Sequence, residues 1–546
     1  IIYSIAASIG IIWGLNLSNN LSLVSFFVLI LCYYLFYIFL NSTISKKFKE
    51  NFIFEKLKIF YNNKNLVIIF FVLIIIFIIY SKYRLYNFEN KYINFSFPQK
   101  GRITEFINKT DKYNKYIFIN DKNDKFILYI DNNIELKSSY IEITKATFNM
   151  PQKATNKGQF DYSKYLYSKG YFGSIFVKEQ NLIIKNEYTN IILEIKDNIK
   201  NTFKKIFSND ELAILDAMIL GDKNNISSKI KEIFKQAGIS HTLAISGAHI
   251  SSIIILFGFI TKKTFGKSIS NYLMIIFIIF FILLTGASPS ILRAGITAII
   301  SLIADIISKK QDKFASFFTS YLILLVANPL IIYDTSFVLS FVGTFGIILL
   351  YEKIYDNLKK LINTKNIIIE YLISSISLSL SAEFILIPII IYLFNTISLV
   401  SIISNIFVGL FISPIIILGI FIYFISFLSF GFARFFGNGL SIIILLFINI
   451  TKFFGEFTFS SIKVPTPNLL IFIIYYMLIY EIFKKKDYSS KDFKKKLSLN
   501  KIIIFALIII FLTIELIPRN YAYLSMIDVG QGDSILITNR SEEHTS

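Results

Sequence analysis

Residues 271–293 read NYLMIIFIIFFILLTGASPSILR, and this stretch decides the class of protein. Its first part, up to Gly286, holds no charged residue. That composition is typical of a helix that crosses a bilayer, where about 20 residues span the hydrocarbon core. Directly after it, Ser288 and Pro289 predict the cap and first turn of a new helix, with Arg293 one turn further on. An arginine at that depth needs a carboxylate, a carbonyl or an anion as its partner.

The composition of the whole chain excludes an ordinary soluble protein. Of its 546 residues, 54% are hydrophobic and 17% are charged, and the mean hydropathy is +0.60. Charged residues make up about a quarter of a typical soluble protein. Lys and Arg (56) outnumber Asp and Glu (36), and the net charge of +20 is concentrated in the loops. The single cysteine, Cys32, excludes a disulfide framework and a Cys-based zinc site.

The pattern predicts a polytopic α-helical membrane protein with an inserted β domain. Apolar runs occur in two sets, residues 1–80 and residues 239–518, and together they predict about 13 spans. Residues 81–207 between them are charged and carry stretches of alternating polarity, which predict a small all-β domain. Residues 208–238 predict two amphipathic helices that lie on the membrane surface.

The ends of these two helices are predicted from local signals. Ser208 with Glu211 has the spacing of a capping box at the first helix. Gly221 and Gly238 are placed to end the two helices.

The lysine-rich loops predict the orientation of the chain. Residues 41–65 and 484–496 are rich in lysine, and short loops of this kind stay in the cytoplasm. The β domain and the C-terminal residues are then both exterior. The parity of the crossings further requires residues 399–429 to be one element, with a predicted interruption at Ser413-Pro414.

Polar residues inside the apolar segments are the first candidates for function, because such groups are costly in lipid and mark pathways or pair with one another. Two histidines flank a predicted helix break at Ser246-Gly247, and two carboxylates are candidate partners for Arg293. These groups either line a path for an anionic polymer or simply hold helices together. The candidate lining residues are His241, Ser246, Gly247, His249, Arg293, Asp334, Glu383 and Asn405.

The β domain offers a second candidate site. Single-stranded nucleic acids are bound by stacking aromatic rings set among basic residues, and the first strands show this interleaving. The candidate DNA-binding residues are Lys112, Tyr113, Lys115, Tyr116, Lys125 and Tyr129. A solvated strand face would show the same pattern.

Four segments resemble the hallmark segments of the ComEC competence proteins, the inner-membrane DNA-uptake channels of bacterial transformation. They are HTLAISGAH at 241–249, TGASPSILR at 285–293, GQFDYSKYL at 158–166 and DVGQGD at 528–533. The resemblance implies that residues 81–207 are an exterior OB-like domain that engages DNA, and that residues 239–518 are a competence domain that passes one strand. It also implies that residues 519–539 begin a metallo-β-lactamase-like domain, with Asp528, Gln531 and Asp533 in a loop of it.

The resemblance also implies cofactors, partners and a location. In this family the last domain is a nuclease whose divalent metals are bound by a His-x-His-x-Asp-His motif, which this chain does not contain. We therefore expect no catalytic residue, metal ligand or cofactor in this chain, and a divalent metal in the missing part of that domain. The implied partners are single-stranded DNA, the lipid bilayer, an exterior DNA receptor, a cytoplasmic helicase and a second copy of the chain. The implied location is the bacterial inner membrane, with the OB-like domain and the C-terminus exterior.

Both ends of the chain suggest a fragment, and two other functions stay open. The first residue is Ile1 within an apolar run. Residues 540–546, RSEEHTS, match the in-frame translation of a common sequencing adapter, which places the end of native sequence near Asn539; an ordinary polar tail is the alternative. The other functions are a transporter of another anionic polymer or lipid-linked precursor, and a membrane hydrolase whose catalytic domain is missing.

Overall fold

The computed structural model describes residues 2–16, 64–110, 112–131, 136, 139–156, 159–187, 190–362, 366–466, 469–483, 523–528, 533–539 and 542–545. Its α-helices are α1 Ile2–Asn16, α2 Lys64–Asn90, α3 Tyr162–Ser168, α4 Ile191–Lys204, α5 Asn209–Leu215, α6 Ser228–Gln236, α7 Gly247–Leu284, α8 Pro289–Ile306, α9 Lys313–Ala327, α10 Thr335–Ile362, α11 Ile367–Phe394, α12 Ser401–Ser426, α13 Phe430–Gly455 and α14 Leu469–Phe483. Its strands are β1 Gln99–Lys109, β2 Tyr113–Asn120, β3 Lys125–Asp131, β4 Ser139–Ile143, β5 Thr147–Asn149, β6 Tyr171–Val177, β7 Leu182–Glu187, β8 Thr396–Ser398, β9 Ser461–Lys463, β10 Tyr523–Asp528, β11 Asp533–Asn539 and β12 Glu542–Thr545.

Seven of the described helices are long and apolar enough to cross a membrane: α2, α7, α8, α10, α11, α12 and α13. Shorter apolar stretches lie in α1, α9 and α14. A largely helical chain with many membrane-capable helices is thereby confirmed, while the count of about 13 spans stays a prediction. Residues 22–40 and 500–517, which are apolar runs within the two predicted sets of spans, lie outside the described residues.

Two membrane helices differ from their predicted limits. α7 covers two predicted spans, and its halves meet at Gly266, whose φ of +77° is a backbone conformation that glycine adopts without strain. α12 is one element, as the parity of the crossings required, but it runs without a break through Pro414. Proline removes a single N–H donor, and membrane helices tolerate that loss where neighbouring groups satisfy the freed carbonyl.

The chain divides into two compact units, of which the first contains the β sheet. This unit comprises Ile1–Gln152, Tyr162–Asn198 and Phe257–Val338. The sheet has seven strands in the order β5-β6-β3-β2-β1-β4-β7, and its β3–β6 pair is parallel. Strand β2 alternates between half-buried and buried residues, and the fully buried side chains include Phe118 and Phe126.

The separate β domain is confirmed, but the domain is not all-β. Helix α2 continues to Asn90, and α3 and α4 lie within the predicted limits of 81–207. Residues 162–168, in the sequence YSKYLYS, lack the alternation of a strand and form α3. The OB-like fold, a five-stranded partly open barrel, stays a prediction.

A polar cluster whose members are buried except for Lys91 joins the end of α2 to the β2–β3 turn. The ammonium group of Lys91 donates to both carboxylate oxygens of Asp124 at 2.8 and 2.7 Å, and the Tyr92 hydroxyl donates to Asp124 at 2.5 Å. The Asn120 side-chain amide donates to the Tyr92 hydroxyl at 3.1 Å. Burial, together with the hydrogen bond to Asp124, raises the pKa of Tyr92 above its ordinary value. We refer to Lys91, Tyr92, Asn120 and Asp124 as the Asp124 latch.

The second unit comprises Lys153–Asp161, Ile199–Leu256 and Leu339–Ser546, and it contains the two predicted amphipathic helices. The capping box at α5 is present, with the Ser208 N–H donating to Glu211 Oε2 at 2.8 Å. Gly221 and Gly238 adopt φ values of +74° and +75° at the predicted helix ends. A π-helical turn, Asp216–Leu220, lies between α5 and Gly221.

These amphipathic helices pack against α12 and α13, whereas the sequence placed their apolar faces on lipid. Three glycines of α12 and α13 allow a close approach, two of them to residues 208–238 and the third to Ile206 just before that segment, and we call them the glycine seam. A Cβ at Gly419 or Gly437 would overlap the side chain of Ile219 or Ile206, and a Cβ at Gly455 would lie 2.5 Å from the Ile233 carbonyl oxygen.

Polar contacts accompany the glycine seam. The Ser441 hydroxyl of α13 donates to the Glu211 carboxylate, and the Ser404 hydroxyl of α12 donates to the Ala237 carbonyl at 2.7 Å.

The C-terminal residues form a three-stranded antiparallel sheet, β10-β11-β12. The two strands predicted on either side of the DVGQGD turn are present as β10 and β11, and Asp528 pairs in register with Asp533. Strand β12 falls within residues 540–546. The assignment of these strands to a metallo-β-lactamase-like domain stays a prediction.

Candidate DNA interface and polar groups of the membrane helices

The structure brings three of the predicted DNA-binding side chains together on one face of the sheet. The alternation of β2 directs Tyr113 and Lys115 to the same face, and the β2–β3 register places Lys115 opposite Tyr129. The Lys115 ammonium lies 5.0 Å from the centre of the Tyr129 ring, and the Tyr113 ring meets that ring edge-on at 6.1 Å. A cation beside aromatic rings is the combination that binds single strands.

Phe176 extends this surface, although no pattern in the sequence indicates it. Its ring stacks on Tyr129 with the centroids 4.4 Å apart and the planes 13° from parallel. The contact arises because β6 pairs with β3 in parallel, which sets Phe176 beside Tyr129. No local sequence signal reveals a parallel pairing between strands this far apart. We call Tyr113, Lys115, Tyr129 and Phe176 the aromatic face.

The other three predicted residues lie elsewhere. Tyr116 is 1% exposed, since the period-2 alternation directs it to the opposite side of the sheet, where its hydroxyl accepts from the Leu136 N–H at 2.9 Å. It is a core residue and is not available for base stacking. Lys112 and Lys125 are exposed near opposite ends of the β2–β3 pair, so neither adjoins Tyr129 directly along its strand.

In the membrane helices, His249 acts as a capping residue. α7 begins at Gly247, so His249 is its third residue and Ser246 its N-cap. The Ser246 N–H donates to His249 Nδ1 at 3.1 Å, which is the bond that a Glu or Gln makes at this position of a capping box. The predicted break at Ser246-Gly247 is therefore the start of a helix.

This hydrogen bond fixes the tautomer of neutral His249. A nitrogen that accepts from a backbone N–H carries no proton, so the imidazole proton lies on Nε2. The side chain is fully buried, and Nε2 has no acceptor within the described part of the chain. His249 therefore presents a buried donor.

A serine pair continues the polar stripe that begins at His249. Ser252, one turn along α7, is fully buried and donates to the Ser413 hydroxyl of α12 at 2.9 Å. The spacing of three residues from His249 is the sequence signal that would have identified Ser252. By contrast, His241 lies in the short 3-10 turn Ser240–Thr242 and is exposed.

The remaining lining candidates fall into the two units. In the first unit, Asp334 caps α10 by accepting from the N–H groups of Ser336 and Phe337 at 2.7 and 3.3 Å. Arg293 is half-buried on α8, one turn after Pro289. In the second unit, the Asn405 amide of α12 donates to the Glu383 carboxylate of α11 at 3.5 Å.

The predicted residues of the DVGQGD turn are described in part. Asp528 ends β10 and Asp533 begins β11, whereas Gln531 lies outside the described residues. Across the ranges that the structure describes, no three His, Cys, Asp or Glu side chains come together as metal ligands would need to.

The chain is similar in sequence to proteins of bacterial competence. Residues 218–486 match the family model described as Competence protein. The chain is 24% identical over 494 residues to ComE operon protein 3 of Bacillus subtilis (strain 168), a match that covers 86% of this chain and 60% of that relative. The chain thus spans 60% of the length of the relative it matches. No solved structure matches the chain.

Proposed function

The chain belongs to the ComEC family of competence proteins, and on that premise we propose that it is a channel in the bacterial inner membrane that imports single-stranded DNA during natural transformation. The observation that carries the proposal is the position of the polar groups. The segment that matches the Competence family, 218–486, contains the His249–Ser252–Ser413 stripe and the Glu383–Asn405 pair. Polar groups inside apolar helices mark transport pathways when they are not merely structural.

The buried donor of His249 supports the proposal chemically. A phosphodiester backbone carries only acceptor oxygens, so a path for it through a bilayer needs donors that do not themselves require a counter-ion. Neutral His249, with its proton held on Nε2, is such a donor, and the Ser413 hydroxyl, which accepts from Ser252, offers one more. Arg293 supplies positive charge at the start of α8.

The aromatic face of the β domain is the proposed point at which DNA is engaged. Bases would stack on the outer surfaces of Tyr113, Tyr129 and Phe176, and Lys115 would attract the phosphates. The lysine-rich loops at 41–65 and 484–496 favour an exterior position for this domain and for β10–β12. We further propose that β10 and β11 open a metallo-β-lactamase-like domain whose divalent metal ligands lie beyond residue 539.

The remaining partners follow from family membership. We propose an exterior DNA receptor and a cytoplasmic helicase as further components of the competence machinery, and a second copy of the chain as a partner in the membrane.

Uptake of labelled single-stranded DNA into lipid vesicles that contain the whole chain tests the proposal. His249→Ala removes both the cap and the Nε2 donor and should slow uptake by about tenfold, the size of one net hydrogen bond. His249→Gln keeps an acceptor for the Ser246 N–H and an amide donor, so it should retain most of the rate. Ser251→Ala is the control, since Ser251 is exposed on the same helix.

Two results would contradict the channel. The first is equal uptake by wild-type protein, His249→Ala and empty vesicles. The second is transport of a lipid-linked precursor by vesicles that exclude DNA, which would favour a transporter of that other class.

A further inference from the structure

Gln159, the second residue of the GQFDYSKYL segment, bonds to Thr155 and Asn156 in the loop between β5 and α3. Its side-chain carbonyl accepts three hydrogen bonds, from the Thr155 N–H at 3.1 Å, the Thr155 hydroxyl at 3.4 Å and the Asn156 N–H at 3.0 Å. All three donors come from residues 155 and 156. Gln159 therefore fixes the backbone from which the Asn156 side chain projects.

Asn156 in turn makes a reciprocal pair with the backbone of Asp528, the first residue of the DVGQGD turn. Its Nδ2 donates to the Asp528 carbonyl at 2.7 Å, and its Oδ1 accepts from the Asp528 N–H at 2.9 Å. One side-chain amide thus matches both polar groups of one residue, as a peptide unit does in a β ladder. Both bonds are short and well within hydrogen-bonding range.

This contact covers polar backbone groups at an outer strand of the C-terminal sheet. In the described sheet, β10 is an outer strand, with β11 as its neighbour. Outer strands expose N–H and C=O groups that attract other strands unless something covers them. The Asn156 amide occupies both groups of Asp528, at the point where β10 ends and the turn begins.

We infer that Asn156, positioned by Gln159 in the loop between β5 and α3, is the residue on which the end of β10 docks at Asp528. Gln159 of the GQFDYSKYL segment and Asp528 of the DVGQGD segment are thereby linked through Asn156, and we call this linkage the Asn156 clasp. Gln159 is a positioning residue in it. The clasp uses neither the aromatic face nor the polar groups of the membrane helices, so it can fail while the channel proposal holds, and the reverse.

Amide hydrogen exchange of the whole chain, read by mass spectrometry at peptides covering residues 523–533, tests the clasp. Asn156→Ala should speed exchange at Asp528 by about tenfold, the factor expected for one net hydrogen bond. Gln159→Ala should do the same through loss of the loop conformation. Gln159→Glu should leave exchange unchanged, because a carboxylate still accepts from all three donors.

Gln152→Ala is the matched control, because Gln152 is exposed in the same loop and takes no part in the bonds above. The inference is supported if exchange rises in Asn156→Ala and Gln159→Ala alone. It is overturned if Asn156→Ala exchanges as the wild type does, or if Gln152→Ala raises exchange equally. A second variant separates the two hydrogen bonds of Asn156. Asn156→Asp keeps the acceptor for the Asp528 N–H but lacks the donor to the Asp528 carbonyl, so Asp528 should lose less protection from exchange than in Asn156→Ala.

Discussion

Gly437 and Gly439 of α13 differ in what a methyl group would meet, and this contrast gives a sharp test of the glycine seam. A Cβ at Gly437 would overlap Ile206 Cγ2, whereas a Cβ at Gly439 has no atom within 4 Å. Both residues lie well inside α13, so replacement by alanine brings the same gain in helix propensity, about 1 kcal/mol. The difference between the two variants therefore isolates the cost of the overlap.

The magnitude follows from these terms. Gly439→Ala should raise the free energy of unfolding by about 0.5–1 kcal/mol, because propensity is the only term that changes. At Gly437 the extra methyl overpacks a tight contact, which costs about 1–3 kcal/mol. Gly437→Ala should therefore lower the free energy of unfolding, and the two variants should differ in that free energy by about 1–3 kcal/mol.

The assay is unfolding of the detergent-solubilised chain, followed by circular dichroism. Gly437→Ala should unfold at lower denaturant than wild type, and Gly439→Ala at higher. Combining Gly437→Ala with Ile206→Ala removes the overlapping methyl group and should recover the overlap term, seen as coupling between the two substitutions. If Gly437→Ala proves as stable as Gly439→Ala, the close approach of Ile206 to α13 is wrong.

Three further outcomes are expected. Asp124→Ala should lower the free energy of unfolding, measured by urea titration, by about 1–3 kcal/mol, because it removes the acceptor that the latch shares. Asp121→Ala, which removes an exposed carboxylate at the same turn, should lower it less. The raised pKa of Tyr92 favours its neutral form in the folded state, so its contribution is complete below about pH 10 and is lost as the pH rises further. Tyr92→Phe should make the alkaline fall in stability shallower in a pH series. Tyr129→Ala should weaken binding of single-stranded DNA by about 1–3 kcal/mol in a fluorescence titration, while Lys122→Ala, exposed in the β2–β3 turn, should leave it unchanged.

Local signals in the sequence predicted the parts of this molecule whose causes are local. The capping box needs only Ser208 and Glu211 at a fixed spacing, and the helix ends at Gly221 and Gly238 need only a residue that tolerates positive φ. The strands β2 and β3 follow from alternation, which is why the positions of Tyr113 and Lys115 were predicted together. Apolar composition was enough to predict membrane-capable helices, of which seven are present among the described residues, while the number of spans stays a prediction.

Long-range pairing accounts for what the sequence did not reveal. Tyr116 was included with the DNA-binding residues because its neighbours are basic, and only the sheet shows that it points into the core. Phe176 was overlooked because its place beside Tyr129 depends on a parallel strand pair. The amphipathic helices were placed on lipid because a hydrophobic face does not reveal its partner, and the glycines of α12 and α13 that receive Ile219 and Ile233 are far away in sequence.

The Asp124 latch couples α2 to the sheet. α2 has 27 residues, about 40 Å at 1.5 Å per residue, and Lys91 and Tyr92 follow it directly. Because both are bonded to Asp124 in the β2–β3 turn, the latch couples the orientation of the sheet to that of the helix. A tilt of 10° in α2 would displace its end by about 7 Å. A change in the tilt of α2 would therefore move the aromatic face, where we propose that DNA is engaged.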